Sequence, residues 1–310
     1  MKLPALIAAS VLALAPIAHG EPTAPSTPTK PYSFVRSVQF DMVSKINGRT
    51  YRIFVHTPPT PPPAGGYPVL YVTDGNGTFP VAAGQAELEA LTGADMLVVG
   101  VGYATDAVMP LQFLRLKDLT PSPPTTPTPG LSAKPDDYGG AESFYRFLTE
   151  ELRPAIAASN KVDPKDETLY GHSLGGLFTL GVLFHHPNAF KGFVASSPSI
   201  WWNDREVLKG EADFARAVEG GETSPRILIE VGGLEQTPPH PLPPGMTEAE
   251  AKVLMDRSRM VDNASELAAR LSKLKGGPGY LVKTQVFEHE DHISTMAASM
   301  SRALTFAEQR

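Results

Sequence analysis

The sequence predicts an α/β fold with one mostly parallel, eight-stranded sheet and helices on both faces. Three observations carry that expectation. Two alternating segments open the folded part of the chain and meet at a turn, as an antiparallel pair does. Short continuous apolar runs follow, of the kind shown by strands buried on both faces. Segments with helical spacing separate those runs, and repeated strand–helix units build parallel sheets.

The first twenty residues, MKLPALIAASVLALAPIAHG, read as a secretory signal peptide. Lys2 is its positive end, Ala5 to Ala18 its apolar core, and Ala18-His19-Gly20 a small-x-small cleavage site before Glu21. The run falls short of the roughly 20 apolar residues that a membrane span needs. A cleaved, exported protein, periplasmic or secreted, is therefore expected. Residues 21–33, EPTAPSTPTKPYS, are a Pro/Ser/Thr linker with too few apolar groups to pack. The folded domain is expected over 34–310.

Within it, SFVRSVQFDMVS and RTYRIFVHTP alternate as half-buried strands around a turn at Asn47-Gly48. YPVLYVTDG (67–75) and DMLVVGVGY (95–103) are the buried runs, with helix-compatible 79–92 between them. Residues 139–159 place Phe144, Leu148, Leu152 and Ile156 on one helical face. ETLY reads as a short strand, LFTLGVLFHH as a helix stopped by Pro187, and FKGFVAS and RILIEVG as further strands. Residues 246–277 read as one long helix, with a capping box at Thr247 and Glu250 and a stop at Gly276-Gly277. YLVKTQVFEH is the last strand and 294–309 the last helix. Two insertions, near 119–137 and 236–262, interrupt the rhythm. Both are expected to leave strands at the carboxyl edge of the sheet, where such folds bind ligands. They are then lids or pocket walls, or plain surface insertions.

Composition excludes several chemistries. The chain has no cysteine, so disulfides, thiol catalysis and thiolate metal sites are ruled out. The formal net charge is −6, so no basic field invites nucleic acid. GVGYAT (100–105) lacks the third glycine of a dinucleotide-binding fingerprint.

The chemistry is carried by LYGHSLGGLF (169–178). A serine at the tip of a sharp strand-to-helix turn is held over the sheet edge, and small residues at Gly171 and Gly175 permit that turn. Ser173 is the candidate nucleophile, and the alternative is a glycine-rich packing turn. A hydroxyl needs a base, and the base an orienting acid, in the chain order Ser, Asp/Glu, His. His292, in FEHEDHIST after the last strand, is the expected base, with His289 as the alternative. Glu235, in GGLEQ after RILIEVG, is the expected acid, with Glu230, Asp204 and Asp291 as alternatives. His289 and His292 with Glu288, Glu290 and Asp291 also suggest a metal cluster. That spacing lacks a third ligand group, so neither a metal nor any cofactor is expected. The oxyanion donors are expected to be the backbone N–H groups of Leu174 and of Asn76 in TDGNGTF.

The ordered segments PVLYVTDGNGTF, RLKDLTP, FLTEELRPAI, LYGHSLGGLFTL, FVASSPSIWW, EVGGLE and EDH resemble the esterase-D-type α/β hydrolases over residues 34–308. The closest likeness is to the branch of enterochelin and salmochelin (siderophore trilactone) esterases. The resemblance implies an α/β-hydrolase fold and metal-free serine ester hydrolysis on a small-molecule ester, with siderophore trilactones among the candidates. It implies Arg115 as a substrate-binding residue, against a plain salt bridge with Asp118. Trp201 and Trp202 would wall an aromatic acyl pocket, or else pack in the core. The competing functions are acyl transfer to an alcohol on the same fold and a catalytically inactive binding protein.

Overall fold

The structure, a computed structural model, describes residues 32–125, 133–238, 242 and 245–309. The expected signal peptide, the linker up to residue 31, His240 and the middle of the 119–137 insertion lie outside the described residues.

Strands β1 (Ser37–Val43) and β2 (Thr50–His56) pair antiparallel, Ser37 facing His56 and Val43 facing Thr50. β3 (Tyr67–Thr73) and β4 (Leu97–Tyr103) are buried throughout, which explains their unbroken apolar runs. β5 (Val162–His172), β6 (Gly192–Ser196), β7 (Arg226–Gly232) and β8 (Leu281–Phe287) complete one eight-stranded sheet in the order β1-β2-β4-β3-β5-β6-β7-β8. β2 pairs antiparallel with β4, and every later pairing is parallel. The strand order reverses direction between β3 and β5. Their carboxyl ends, Thr73 and His172, thus flank the crevice where open α/β sheets bind ligands.

Helix α1 (Gly75–Glu89) follows β3, and α2 (Val108–Leu119) follows β4. α3 (Ala141–Arg146) continues through a π-helical segment, Phe147–Leu152, into α4 (Arg153–Ser159). α5 (Leu174–His185) follows β5. A short α6 (Trp202–Arg205) and α7 (Glu211–Glu219) lie between β6 and β7. α8 (Glu248–Ser258) and α9 (Met260–Leu271) precede β8, and α10 (Thr295–Glu308) ends the chain. α1 and α10 cover one sheet face, packing Phe79, Ala83, Met300 and Leu304 against Leu70, Val72, Tyr170 and Val194. The other face is covered by α3–α5, α7 and α9, through Phe144, Leu148, Ile156, Leu177, Phe178, Phe214 and Leu267. Each Leu, Ile, Val, Phe or Met among them, fully buried, contributes about 1.5–3 kcal/mol.

Four expectations need correction. β1 is not half-buried: as an edge strand it leaves Val38, Phe40 and Val43 exposed, with no strand beyond it among the described residues. The strand expected over ETLY runs from Val162, because its polar start still pairs with Tyr67 of β3. The helix expected over 246–277 breaks at Arg259, whose φ is 43°. Before the break only Ala251 and Ser258 are buried in α8; after it α9 buries Met260, Ala264, Leu267, Ala268 and Leu271 along one stripe. The capping box stands, with Thr247 Oγ1 accepting from Glu250 N at 3.2 Å and Glu250 Oε2 from Thr247 N at 2.9 Å. Last, the 119–137 insertion leaves α2 rather than a strand. Pro110 obscures that helix in the sequence, but it sits in the first turn, where the missing N–H costs no intrahelical bond.

Candidate active site

β5 delivers Ser173 to the switch point on a sharp turn into α5. Ser173 adopts φ 61° and ψ −118°, a strained backbone for a residue with a side chain and worth about 1–3 kcal/mol. The surroundings hold it there. Its N–H donates to Ser196 O at 3.0 Å, and its carbonyl accepts from Leu177 N at 3.0 Å and Ser199 N at 3.1 Å. A side chain at Gly171 would overlap the Gly175 carbonyl, and one at Gly176 would come within 2.8 Å of Pro198 Cα. The glycines are therefore required by close backbone approach, as the elbow reading expects.

His292 comes from the loop after β8, and Glu235 from the loop after β7. Gly232 and Gly233 let those loops touch, since a Cβ on Gly233 would lie 2.8 Å from Glu288 O. His292 Nε2 lies 2.9 Å from Ser173 Oγ, and His292 Nδ1 lies 2.6 Å from Glu235 Oε2. A carboxylate only accepts, so the proton between these two sits on Nδ1. Nε2 is then the acceptor facing the serine hydroxyl. Glu235 Oε1 accepts from Ser197 Oγ at 2.5 Å and Gly232 N at 2.7 Å. Burial alone would raise the Glu235 carboxyl, but the His292 hydrogen bond and charge, Ser197 and Gly232 hold it below its ordinary value. It is a carboxylate at neutral pH.

The alternatives fall elsewhere. His289 is exposed. Asp291 closes the turn beside His292, its Oδ1 accepting from Ile293 N at 2.9 Å and Ser294 N at 2.8 Å. Asp204 is exposed in a left-handed turn with Asn203 and Arg205. Glu230 is buried inside β7. Both His292 nitrogens are in hydrogen-bond contact, Nε2 with Ser173 and Nδ1 with Glu235.

The two expected oxyanion donors open neighbouring helices. Leu174 is the first residue of α5 and Asn76 the second of α1, positions whose N–H groups precede the first intrahelical bond. The loops that carry them abut: a Cβ on Gly175 would overlap Thr73 Oγ1 and lie 3.5 Å from Asp74 Oδ2. The Asn76 side chain anchors its loop to the end of β4. Its Nδ2 donates to Tyr103 O at 3.0 Å and Thr105 O at 3.1 Å, and its Oδ1 accepts from Tyr103 N at 2.8 Å.

Arg115 does not pair with Asp118, which instead meets Arg49 at 3.2 Å. Its Nε and Nη2 donate to Asp74 Oδ1 and Oδ2 at 2.9 and 2.8 Å. Trp202 is corrected from pocket wall to packing residue. It is 2% exposed, and its indole N–H donates to Ser122 O at 3.2 Å, tying down the start of the first insertion. Trp201 is half-buried beside it.

Two contributors went unread in the sequence, Ser197 and Asp74; a third, His172, is expected from its place beside Ser173 to point elsewhere. Ser197 follows β6 in a left-handed conformation, and only the tertiary fold reveals its bond to Glu235. Asp74 carried a signal, since an acidic residue before a glycine at a strand end marks a special turn. His172 adjoins Ser173, but its ring turns under the site, 4.8 Å from the His292 ring, with Nδ1 3.0 Å from Ser196 Oγ. Burial and the neighbouring His292 push it down to about 3, so it is neutral.

Known proteins are similar to this chain along most of its length. A family model described as "Putative esterase" matches residues 44–267. The chain is 37% identical over 276 residues to the ferri-bacillibactin esterase BesA of Bacillus subtilis (strain 168), covering 86% of this chain and 87% of that protein. It is 36% identical over 250 residues to a siderophore triacetylfusarinine C esterase of Aspergillus fumigatus, covering 78% of this chain and 81% of that one. The solved structure of siderophore hydrolase EstA from Aspergillus nidulans aligns with a TM-score of 0.77 at 30% identity, over 91% of this chain and 97% of that chain. On these matches the chain belongs to the esterase family, on an α/β-hydrolase fold.

Proposed function

We propose that the protein is an exported serine esterase that hydrolyses the ester bonds of siderophores, trilactones among them. The observation that carries the mechanism is the unbroken run of hydrogen bonds from Ser173 through His292 to Glu235. Ser173 Oγ attacks the ester carbonyl while His292 Nε2 takes its proton. Glu235 holds the ring in the productive tautomer and stabilises the imidazolium. The Leu174 and Asn76 amides face the oxyanion, each such donor being worth about 2.7–4 kcal/mol. The tetrahedral adduct collapses, and His292 Nε2–H protonates the leaving alkoxide. Water then attacks the acyl-serine with His292 again as base, releasing the acid and restoring Ser173.

The His292 side chain is 38% exposed, which supports water as acyl acceptor over an alcohol held in a closed site. The substrate class is supported by the relatives, named for siderophore esters in both bacteria and fungi. Trp201, half-buried after β6, is the residue we assign to an aromatic acyl group. Among the described residues no helix is long and apolar enough to cross a membrane. Export rests on residues 1–20, and the intact mass of the protein from its producing cells checks cleavage before Glu21.

The test is incubation with iron-free and ferric siderophore trilactones beside simple p-nitrophenyl esters, read by mass spectrometry. Ring-opened trilactone is expected. Turnover of the simple esters alone would remove the siderophore assignment and leave the esterase standing.

A further inference from the structure

Asp74 is the hinge between β3 and α1, and its backbone and side chain do different things. It adopts φ 56° and ψ 38°, a left-handed conformation uncommon outside glycine but one in which aspartate is enriched. Its carbonyl accepts from Gly77 N at 2.9 Å and Thr78 N at 3.1 Å, the first bonds of α1. The direction of the Asn76 N–H is therefore set by where Asp74 sits. Its carboxylate takes both arms of the Arg115 guanidinium in a two-pronged ion pair, with side-chain exposures of 16% and 15%. Such a pair fixes orientation as well as charge. Arg115 belongs to α2, so the pair ties that helix to the oxyanion loop. The loop is pressed from the far side by the first turn of α5, where only glycine fits at position 175.

We infer that the Arg115–Asp74 ion pair is the lock that holds the oxyanion loop in register with Ser173. Arg115 is then a positioning residue that acts through Asp74, rather than a group that grips substrate. This rests on the serine-esterase reading. Without Arg115 the Asp74 carboxylate loses both of its tethers to α2, and the Asn76 amide would shift off the line on which charge develops. Binding of the uncharged ground-state ester would change little, while the anionic transition state would lose a donor.

The experiment compares Asp74→Asn, Arg115→Gln, Arg115→Lys and the double Asp74→Asn/Arg115→Gln variant with wild type on p-nitrophenyl butyrate. The readouts are kcat, KM, melting temperature and the inhibition constant of an alkyl boronic acid, which forms a tetrahedral anion on the serine. Removing a whole oxyanion donor costs about 10²–10³ in kcat, so displacing one is expected to cost about tenfold to a hundredfold. KM should stay within about twofold, and boronate affinity should fall in step with kcat. The double variant should be no worse than the weaker single, because one interaction is lost in each. Arg115→Lys should recover only part of the rate, since an ammonium cannot fork.

A rise in KM with kcat and boronate affinity kept would overturn the lock and return Arg115 to substrate binding. So would wild-type kinetics in the near-isosteric Asp74→Asn variant, which keeps the shape of the loop residue and so stays informative if Arg115→Gln folds poorly. Ser173→Ala, run beside them, separates the two levels. If it retains turnover, the serine mechanism fails, whatever the lock does.

Discussion

Glu230 and Glu235 belong to one short segment at the end of β7, are both buried, and have opposite environments. Glu235, 4% exposed, receives hydrogen bonds on both oxygens from His292, Ser197 and Gly232. Glu230, 0% exposed, has no hydrogen-bond partner on either oxygen among the described residues. The loop glycines between them let the chain turn Glu235 toward His292, while Glu230 stays within β7, buried, with Arg302 of α10 as its opposing charge. One is built to stay charged beside an imidazolium, and the other is driven neutral.

Glu235→Gln should therefore disable the reaction with little change in fold. An amide in place of the carboxylate no longer selects the Nδ1–H tautomer of His292, nor stabilises its positive charge. A loss of about 10³–10⁴ in kcat is expected, as for triad acids generally. Asp291→Asn should cost far less, because that side chain closes a turn. Comparable losses in the two variants would reassign the acid.

Glu230→Gln should stabilise the protein, and more so as pH rises. Burial raises the Glu230 pKa well above 4.5, with Arg302 the opposing charge. The unfolded chain releases this proton from about its ordinary pKa, so the folded state loses relative stability as pH climbs from there toward the folded pKa. A neutral, isosteric amide removes that cost. Melting temperatures from pH 4.5 to 8 should show a gap that widens with pH. A constant gap, or a variant less stable than wild type throughout, would contradict the assignment.

His172 should weaken the fold in acid. Its pKa falls from 6.5 to about 3 on burial, so the folded form resists a proton that the unfolded chain accepts. Above pH 6.5 the group costs nothing. Below it stability falls progressively until the folded ring itself protonates near pH 3. His172→Gln should lower stability at pH 7 but flatten this acid slope, as read from urea midpoints between pH 7 and 4.

The two tryptophans should part ways. Trp202→Ala removes a fully buried indole and its bond to Ser122, and should cost about 3–5 kcal/mol. Trp201→Ala should cost less stability and act on KM for aromatic acyl esters. Equal losses of stability would make both packing residues.

The three residues of the proposed triad were legible in the sequence because each sits where local rules speak. Ser173 lies between glycines after a strand, Glu235 follows two glycines after the next-but-one strand, and His292 follows the last strand. The succession of eight strands along the chain was readable from apolar runs and period alone, whereas their order in the sheet came only with the fold. The break at Arg259 was not, because both halves of 246–277 carry good helix formers and only docking of the second half onto the sheet decides the angle. The Arg115–Asp74 pair was hidden for a different reason. The partners lie far apart in sequence, and Asp118, closer by, offered the obvious mate. The burial of Trp202 depends on Ser122, part of a proline-rich stretch that has no periodicity to read.

The most direct test of the account is mass mapping of the serine that a fluorophosphonate labels, with esterase turnover measured on the same samples. One equivalent on Ser173, with loss of turnover in step with labelling and no label on Ser173→Ala, is the expected result. Full turnover in a folded Ser173→Ala variant, or inactivating label on another residue, would contradict it.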